Sequence, residues 1–542
     1  MKQSHRQQYK PSMSRASFRL VMTVGQRMHS GFRIFLKSFN LLFEGLRALV
    51  RIIEVLRWLR TINHLLPISV VMFMMLGCKK FVQIGSPTTQ IATTTVFSNS
   101  ASATSAQLAI YIPMWNESWN MALSCGLLSD ELTNYSTNQP LIQYYTNSMS
   151  SIVTTGPWQN AYKYIYQANS IIEKLQNNGN IPASVAAQLI GESKFIRAFW
   201  HFYLTNLYGD VPLVLTTDYA VNASMPRIPQ AQVYQQVVAD LNDAFGTLNS
   251  NYVDITDTTI STDRVRPTRA AAAAMLARVY LYKQKYDSAE LQANLVINNA
   301  TLYNLCKNLT NAGGATNFVF QRNSTEAILQ IATPIPSNYF TPDGNNFYLV
   351  SAPSQSTINC TAISPQLLNA FEPNDKRKVQ WIKVYTTTGG SPVSYYFPFK
   401  YQTYNTTAST TSVNVTEYVM VLRLAEQYLI RAEARAQQGK LADAIADLNA
   451  IRNRAGLPNY SGGIDQSSVL AAILHERQVE LFTEWGHRWI DLKRTANLDA
   501  VMGGPTGVCQ AKHGTWSSDY QLFPVPQAER NNNANLTQNS GY

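Results

Sequence analysis

Apolar residues recur at three- and four-residue steps through much of this chain, the spacing of one helix face. In residues 158–176, WQNAYKYIYQANSIIEKLQ, the positions Trp158, Ala161, Tyr162, Ile165, Ala168, Ile172 and Leu175 keep that step. Residues 184–208 repeat it with Phe195, Phe199, Phe202, Tyr203 and Leu207, and Gly209 stands where a helix would stop. Pro267 is placed to open the next helix, followed by RAAAAAMLARVYLYKQ, a strong helix former. Trp158, Trp200, Trp485 and Trp489 fall in such helical segments and are expected in the core. The pattern changes over 303–415, which is rich in Asn, Thr, Ser, Tyr and Pro with short β-like runs at 327–332 (AILQIA) and 394–399 (SYYFPF). Such a segment predicts loops and small strands, and loops held on a rigid helical frame are where ligand sites concentrate.

Two segments look like tetratricopeptide hairpins, paired helices stacked through small residues. In residues 422–455, Ala432 and Ala436 would pack in the first helix, Gly439 would turn, and Ala444 and Leu448 would pack in the second. Residues 275–297 place Tyr286 and Ala289 at matching offsets. The expected fold is mainly α, tetratricopeptide-like helical pairs forming a scaffold with a loop-rich face containing short β-strands. Such arrays are scaffolds and say little by themselves about chemistry.

The amino-terminal part differs. Residues 65–77, LLPISVVMFMMLG, form an uncharged run that ends at Cys78. It is shorter than the roughly 20 residues a membrane-spanning helix needs, and its length with Arg57 and Arg60 ahead of it fits a signal peptide. Gly77 before Cys78 resembles a bacterial lipoprotein cleavage box, with Met75 where Leu is usual. Cleavage there would remove residues 1–77 and leave Cys78 as the lipidated first residue. Residues 31–60 carry Arg33, Lys37, Glu44, Arg47, Arg51 and Glu54 along one side of an apolar pattern. Two readings fit this stretch: an interfacial membrane helix, or sequence upstream of the true translation start. Residues 79–105, poor in charge and rich in Thr and Ser, read as an extended tether, with the folded domain over 106–542.

Charge sharpens the picture. The net charge is +11, but residues 1–64 hold twelve of the 44 basic residues and two of the 33 acidic ones, leaving 32 against 31 in the rest. The folded part is near neutral, which removes the case for nucleic acid, and the chain's 29 Tyr, all but Tyr9 in that part, suit an uncharged polar ligand better than a phosphate. Of the five cysteines, Cys125, Cys306, Cys360 and Cys509 follow Cys78 at wide spacing without a CxxC, so isolated buried thiols are expected rather than a zinc or redox motif. No cofactor or metal is implied. His475-Glu476 lacks the second His of HExxH, and neither a GxSxG elbow nor a GxxxxGK[ST] loop occurs.

Five segments in order resemble the SusD/RagB family of outer-membrane nutrient-binding lipoproteins of Bacteroidota: SKFIRAFWHFYLTNLYGDVPL (193–213), RPTRAAAAAMLARVYL (266–281), the hairpin at 422–455, ERQVELFTEWGHRWIDLKR (476–494), and the closing FPVPQAERNNNANLTQNSGY. The closing segment is the most specific, and the resemblance runs from Cys78 to Tyr542, with residues 1–64 outside the pattern. It implies a helical fold, a lid-like association with a SusC-type TonB-dependent transporter, and an oligosaccharide ligand, or a peptide in some members. It implies binding and not catalysis. A peptide-binding member of the same family is the first alternative. A glycoside-processing enzyme, needing two opposed carboxylates about 5–10 Å apart, ranks below it, and a helical-repeat protein adaptor is a further reading.

Sugar binding needs aromatic faces for CH surfaces and amides for hydroxyls. Three loop clusters offer both: Trp115, Asn116, Trp119 and Asn120; Tyr144 and Tyr145 with Asn147; and Tyr339, Phe340, Asn345, Asn346 and Tyr348. Trp115, Trp119 and Tyr348 lead, although packing within its loop is the commoner role for any single aromatic. Asp130-Glu131 matches a family position and reads as structural.

Overall fold

The computed structural model describes residues 50, 53, 54, 57, 96–153, 156–334, 339–405 and 415–542. The chain divides into two units, Met1–Gln90 and Ile91–Tyr542. In the first, Val50, Ile53, Glu54 and Arg57 are helical; Cys78 and the apolar run before it lie outside the described residues.

The second unit is built mainly of helices, most of them packed in series. Helix α1 (Ser100–Met114) starts inside the segment expected to be an extended tether. Asn99 is the reason: its Oδ1 accepts from the Ser102 amide at 3.0 Å and satisfies an amide that the first turn leaves open. Then come α2 (Glu117–Leu128), α3 (Trp158–Leu175), α4 (Ala183–Tyr208), α5 (Gln230–Thr247), α6 (Arg269–Tyr282) and α7 (Tyr286–Ile297). After the loop-rich region follow α8 (Leu424–Gln437), α9 (Leu441–Arg454), α10 (Gln466–Leu481) and α11 (His487–Arg494). From α3 to α9 each helix packs on its neighbour; α10 lies across both α8 and α9, and α11 returns to α2.

The sequence explains this stacking. Helix α4 is apolar on most sides and is buried along nearly its whole length between α3 and α5. Helix α6 begins at Arg269, capped by Thr268, whose hydroxyl accepts from the Ala271 amide at 3.3 Å; its alanines let the flanking axes approach. In the α8–α9 hairpin Ala432, Ala436, Ala444 and Leu448 are fully buried as a satellite core with Val469 and Ile473 of α10. Gly439 makes the turn at φ 76°, a left-handed conformation costly for other residues. The α6–α7 turn does the same with a non-glycine, Gln284 at φ 56°. Trp158, Trp200, Trp485 and Trp489 are all buried.

Among the described residues six short strands form three antiparallel pairs: β1 (Leu132–Asn134) with β3 (Thr361–Ile363), β2 (Ala327–Ile331) with β6 (Val419–Arg423), and β4 (Ile382–Thr386) with β5 (Ser394–Pro398). Leu132 faces Ile363, Ile331 faces Val419 and Ile382 faces Pro398. Both β-like runs of the sequence are strands here.

A buried ion network pins this region to the scaffold. Arg423 of β6 meets Glu326, Glu480 and Glu484; Arg377 meets Asp375, Glu476 and Glu480; Arg454 meets Glu326 and Glu480. Burial alone would push the Glu480 carboxyl up, but Arg454, Arg423 and Arg377 outweigh it and hold the group well below the usual range. No helix among the described residues is long and apolar enough to cross a membrane.

Candidate functional site

Pro113 in the last turn of α1 and the Asn116 that follows break the helix, and α2 restarts at Glu117. The MWNESWN segment, expected as a polar loop, is therefore a helix–helix junction. Its consequence for Trp115 is direct: this residue ends α1 and is only 6% exposed within the main core, with no open face for a ligand. Asn116 beside it is exposed.

One turn into α2 the geometry differs. Trp119 is half-buried against the core, its indole N–H has no partner, and Asn120 is exposed. Glu117 lies beneath them, accepting from Asn160 Nδ2 at 2.8 Å, Tyr164 OH at 3.0 Å and Asn120 Nδ2 at 3.2 Å. Burial pushes its carboxyl up, against those three donors. Glu117, Trp119, Asn120, Tyr144 and Thr357 line a cleft of about 290 Å³. Tyr144 contributes an edge only, being 7% exposed and packed on Phe523 with ring centroids 5.9 Å apart. Tyr145 is half-buried with the Lys512 ammonium 5.3 Å from its ring centre, so that cation occupies one of its faces.

The third cluster forms around a short helix, Pro342–Phe347, capped by the Thr341 hydroxyl, which accepts from the Gly344 amide at 3.0 Å. A Cβ at Gly344 would run into the Thr403 carbonyl, so glycine is what lets this helix lie on the 401–405 backbone. Tyr348, just past the helix, stacks on Tyr404 at 3.5 Å and 10° between planes, with Phe397 at 5.0 Å and Phe399 at 5.9 Å. Burial, then the Tyr404 hydroxyl, pushes the Tyr348 phenol up to about 12. Asn345 accepts from the Asn405 amide at 3.0 Å and donates to Asn346 at 2.9 Å, so its amide serves mainly to hold the loop. Tyr339 and Phe340 meet edge-on at 5.7 Å, and Phe340 packs against the core.

A buried side-chain hydrogen bond ties this cluster to α2: Ser118 Oγ donates to Asp343 Oδ1 at 3.2 Å. Burial pushes the Asp343 carboxyl up to about 7, opposed by Ser118, and its Oδ2 has no partner. The structure thus joins Trp119, Asn120 and the edge of Tyr144 in one cleft and hangs the Asn345–Tyr348 group from the same helix. Trp115 stays apart, in the core. Glu117, Asn160 and Tyr404 are not among the site residues expected from the sequence. Tyr404 lies in the Tyr- and Asn-rich 303–415 segment, so composition pointed to its neighbourhood, whereas Glu117 and Asn160 meet only in three dimensions.

The chemistry available is an aromatic surface with amide and hydroxyl groups beside it, suited to a neutral polyhydroxyl ligand. Asp130 binds Arg488 at 2.8 and 2.6 Å and receives Gln478 at 3.1 Å, a structural tie between β1's approach and α10–α11. The four cysteines are buried and free. Burial pushes Cys125 up to about 12 and both Cys306 and Cys360 to about 11, so they are held as thiols. No group of three or more His, Cys, Asp or Glu able to hold a metal occurs among the described residues.

The sequence profile of the SusD family matches residues 136–542. SusD-like protein P2 of Formosa agariphila is 26% identical over 519 residues, spanning 87% of this chain and 98% of that protein. The starch-binding protein SusD of Bacteroides thetaiotaomicron is 33% identical over 131 residues, 23% of this chain and 21% of its own length. A SusD superfamily structure from Bacteroides vulgatus superposes with a TM-score of 0.67 at 20% identity, over 83% of this chain and 100% of that one. A laminarin-binding SusD-like protein gives a TM-score of 0.63 at 23% identity, over 81% of this chain and 99% of that one. At these identities the two structures speak for the fold.

Proposed function

Since the chain belongs to the SusD family, we propose that it binds nutrient glycan at the outer membrane and delivers it, unaltered, to a SusC-type TonB-dependent transporter. One observation carries the binding site: the half-buried Trp119 and exposed Asn120 open on a cleft of about 290 Å³, and Ser118 ties that cleft's helix to the segment bearing the stacked Tyr348–Tyr404 pair. Aromatic rings fixed by packing need little ordering on binding, and the amides beside them give direction. Family membership supports binding over catalysis, and Glu117, the carboxylate in the cleft, is already held by three neutral donors.

In this reading the mature chain starts at lipidated Cys78, the tether ends at Asn99 where α1 is capped, and residues 100–542 form the ligand-binding body facing the cell exterior. The relatives named for starch and laminarin place neutral glucans first among ligands to test. A glycan array probed with the purified protein should show saturable binding to a restricted set of neutral oligosaccharides. Prolonged incubation followed by chromatography should recover the same sugars intact. Binding of peptides with no glycan bound would move the protein to a peptide-binding role, and shortened sugars would establish an enzyme.

A further inference from the structure

Helix α3 bears on two separate hollows. Pro157, just before it, and Asn160 border the cleft described above, while Trp158, Gln159 and Tyr162 border a larger groove of about 710 Å³. The far wall of the groove is the 212–223 segment, and its end is closed by the carboxy-terminal helix Gln527–Asn532 and the residues after it. None of the site residues expected from the sequence lies here.

The groove is braced on every side. Tyr162 OH donates to the Pro212 carbonyl at 2.8 Å, and Asn169 Nδ2 donates to the Val214 carbonyl at 3.1 Å. Gln159 Nε2 donates to Glu529 at 3.2 Å, and Asn533 Nδ2 donates to the Met225 carbonyl at 2.9 Å. Four cross-links between three segments make a preformed hollow, not a crevice that closes when empty.

Its surface is unusual for a structural groove. Tyr166 on α3 is 52% exposed, and Tyr219 on the opposite wall is 83% exposed, so two aromatic rings stand open on facing walls. On the same wall as Tyr219, Asn222 donates through Nδ2 to the Thr216 carbonyl at 2.8 Å, which fixes the amide's orientation. Its Oδ1 is then a buried acceptor without a partner, in a place where an unsatisfied oxygen is costly. The charges lining the groove are Lys163 and Glu529, one of each sign. A phosphate, an acidic peptide or a nucleic acid finds no excess of cations here. A neutral ligand with hydroxyl groups finds ring faces for its CH surfaces and an acceptor for an O–H.

We propose that this groove is a second binding site for neutral oligosaccharide, distinct from the α2 cleft. The inference rests on the glycan-binding role proposed above.

The test is calorimetric titration of the intact protein with maltohexaose, laminarihexaose, xylohexaose and mannohexaose, run on wild type, Trp119→Ala and the double variant Tyr166→Ala/Tyr219→Ala. Both tyrosines are solvent-exposed, so the double variant should melt with wild type. For a sugar that binds, wild type should take up two equivalents. The double variant should keep one equivalent and lose at least tenfold at the other, while Trp119→Ala keeps the groove equivalent. Restoring the rings as Tyr166→Phe/Tyr219→Phe should recover most of the lost affinity. One equivalent in wild type, abolished by Trp119→Ala and untouched by the double variant, overturns the second site and leaves glycan binding standing. Binding of none of the sugars overturns both. Loss of transporter capture in the double variant with sugar binding unchanged makes the groove a protein contact and likewise overturns the proposal.

Discussion

Residues with the same chemistry separate here across one helix break. Trp115 and Trp119 are four apart with an Asn after each, yet one ring is buried and the other opens on a cleft. Replacing Trp119 or Tyr348 by Ala should weaken glycan binding by about 1–3 kcal/mol, roughly fivefold to somewhat over a hundredfold. Trp115→Ala and Trp200→Ala should instead destabilise the fold by about 3–5 kcal/mol as core truncations. Calorimetry and thermal melts on the same four variants separate the two effects. Asp343 adds a pH dependence. Its folded carboxyl titrates near 7, above the unfolded value, so the folded state holds a proton the unfolded state has lost. Its contribution to stability is full below the unfolded value, falls as pH rises toward 7, and levels off above. Asp343→Asn keeps a neutral side chain at every pH. It should match wild type near pH 4 and melt at a higher temperature at pH 8; equal melting at pH 8 would show that the buried oxygen is solvated.

At the scale of elements, much was legible in the sequence, for one physical reason. A helix with a three-and-four apolar step has one way to bury it, so α3, α4 and the α8–α9 hairpin fall within a residue or two of their expected limits. The hairpin's small residues and Gly439 needed no tertiary knowledge, because the constraint is local. Gly439→Ala should cost about 1 kcal/mol, since φ is 76° and no atom obstructs the new methyl group. The candidate site was only partly legible. Whether a Trp at a helix break faces core or solvent depends on which neighbours close over it, and Asn160 reaches Glu117 from another helix. The extended stretch expected over 79–105 overruns the start of α1, because Asn99, one amide in a Ser- and Thr-rich run, caps that helix. The ion network is the opposite case, charged residues in helical motifs that the sequence assigns to no partner. Glu480→Gln leaves Arg423, Arg377 and Arg454 short of a counter-charge, and denaturant unfolding should show a loss of about 3–5 kcal/mol.

For the whole molecule the separate amino-terminal unit and the near-neutral remainder each imply a measurement. Mass spectrometry of the membrane form should find a diacyl- or triacyl-modified Cys78 at the mature amino terminus, and Cys78→Ala should release the protein from the membrane. Recovery of residues 1–77 in the outer-membrane fraction would contradict this. Glycan affinity should change little between low and moderate salt, because a neutral ligand releases no counterions; a steep dependence would point to a charged ligand.

The four sealed thiols also make this chain its own motion detector. A thiol held far above its ordinary titration range is almost never a thiolate, and one without exposure cannot meet an alkylating reagent. Labelling can therefore proceed only through openings of the fold around each sulfur. Cys125 reports on α2 behind the cleft, Cys306 and Cys360 on the loop-rich region, and Cys509 on the carboxy-terminal packing. Mass-resolved alkylation rates would rank the local opening free energies of these regions in the unmodified protein. A glycan that tightens the cleft would register first as a slower clock at Cys125.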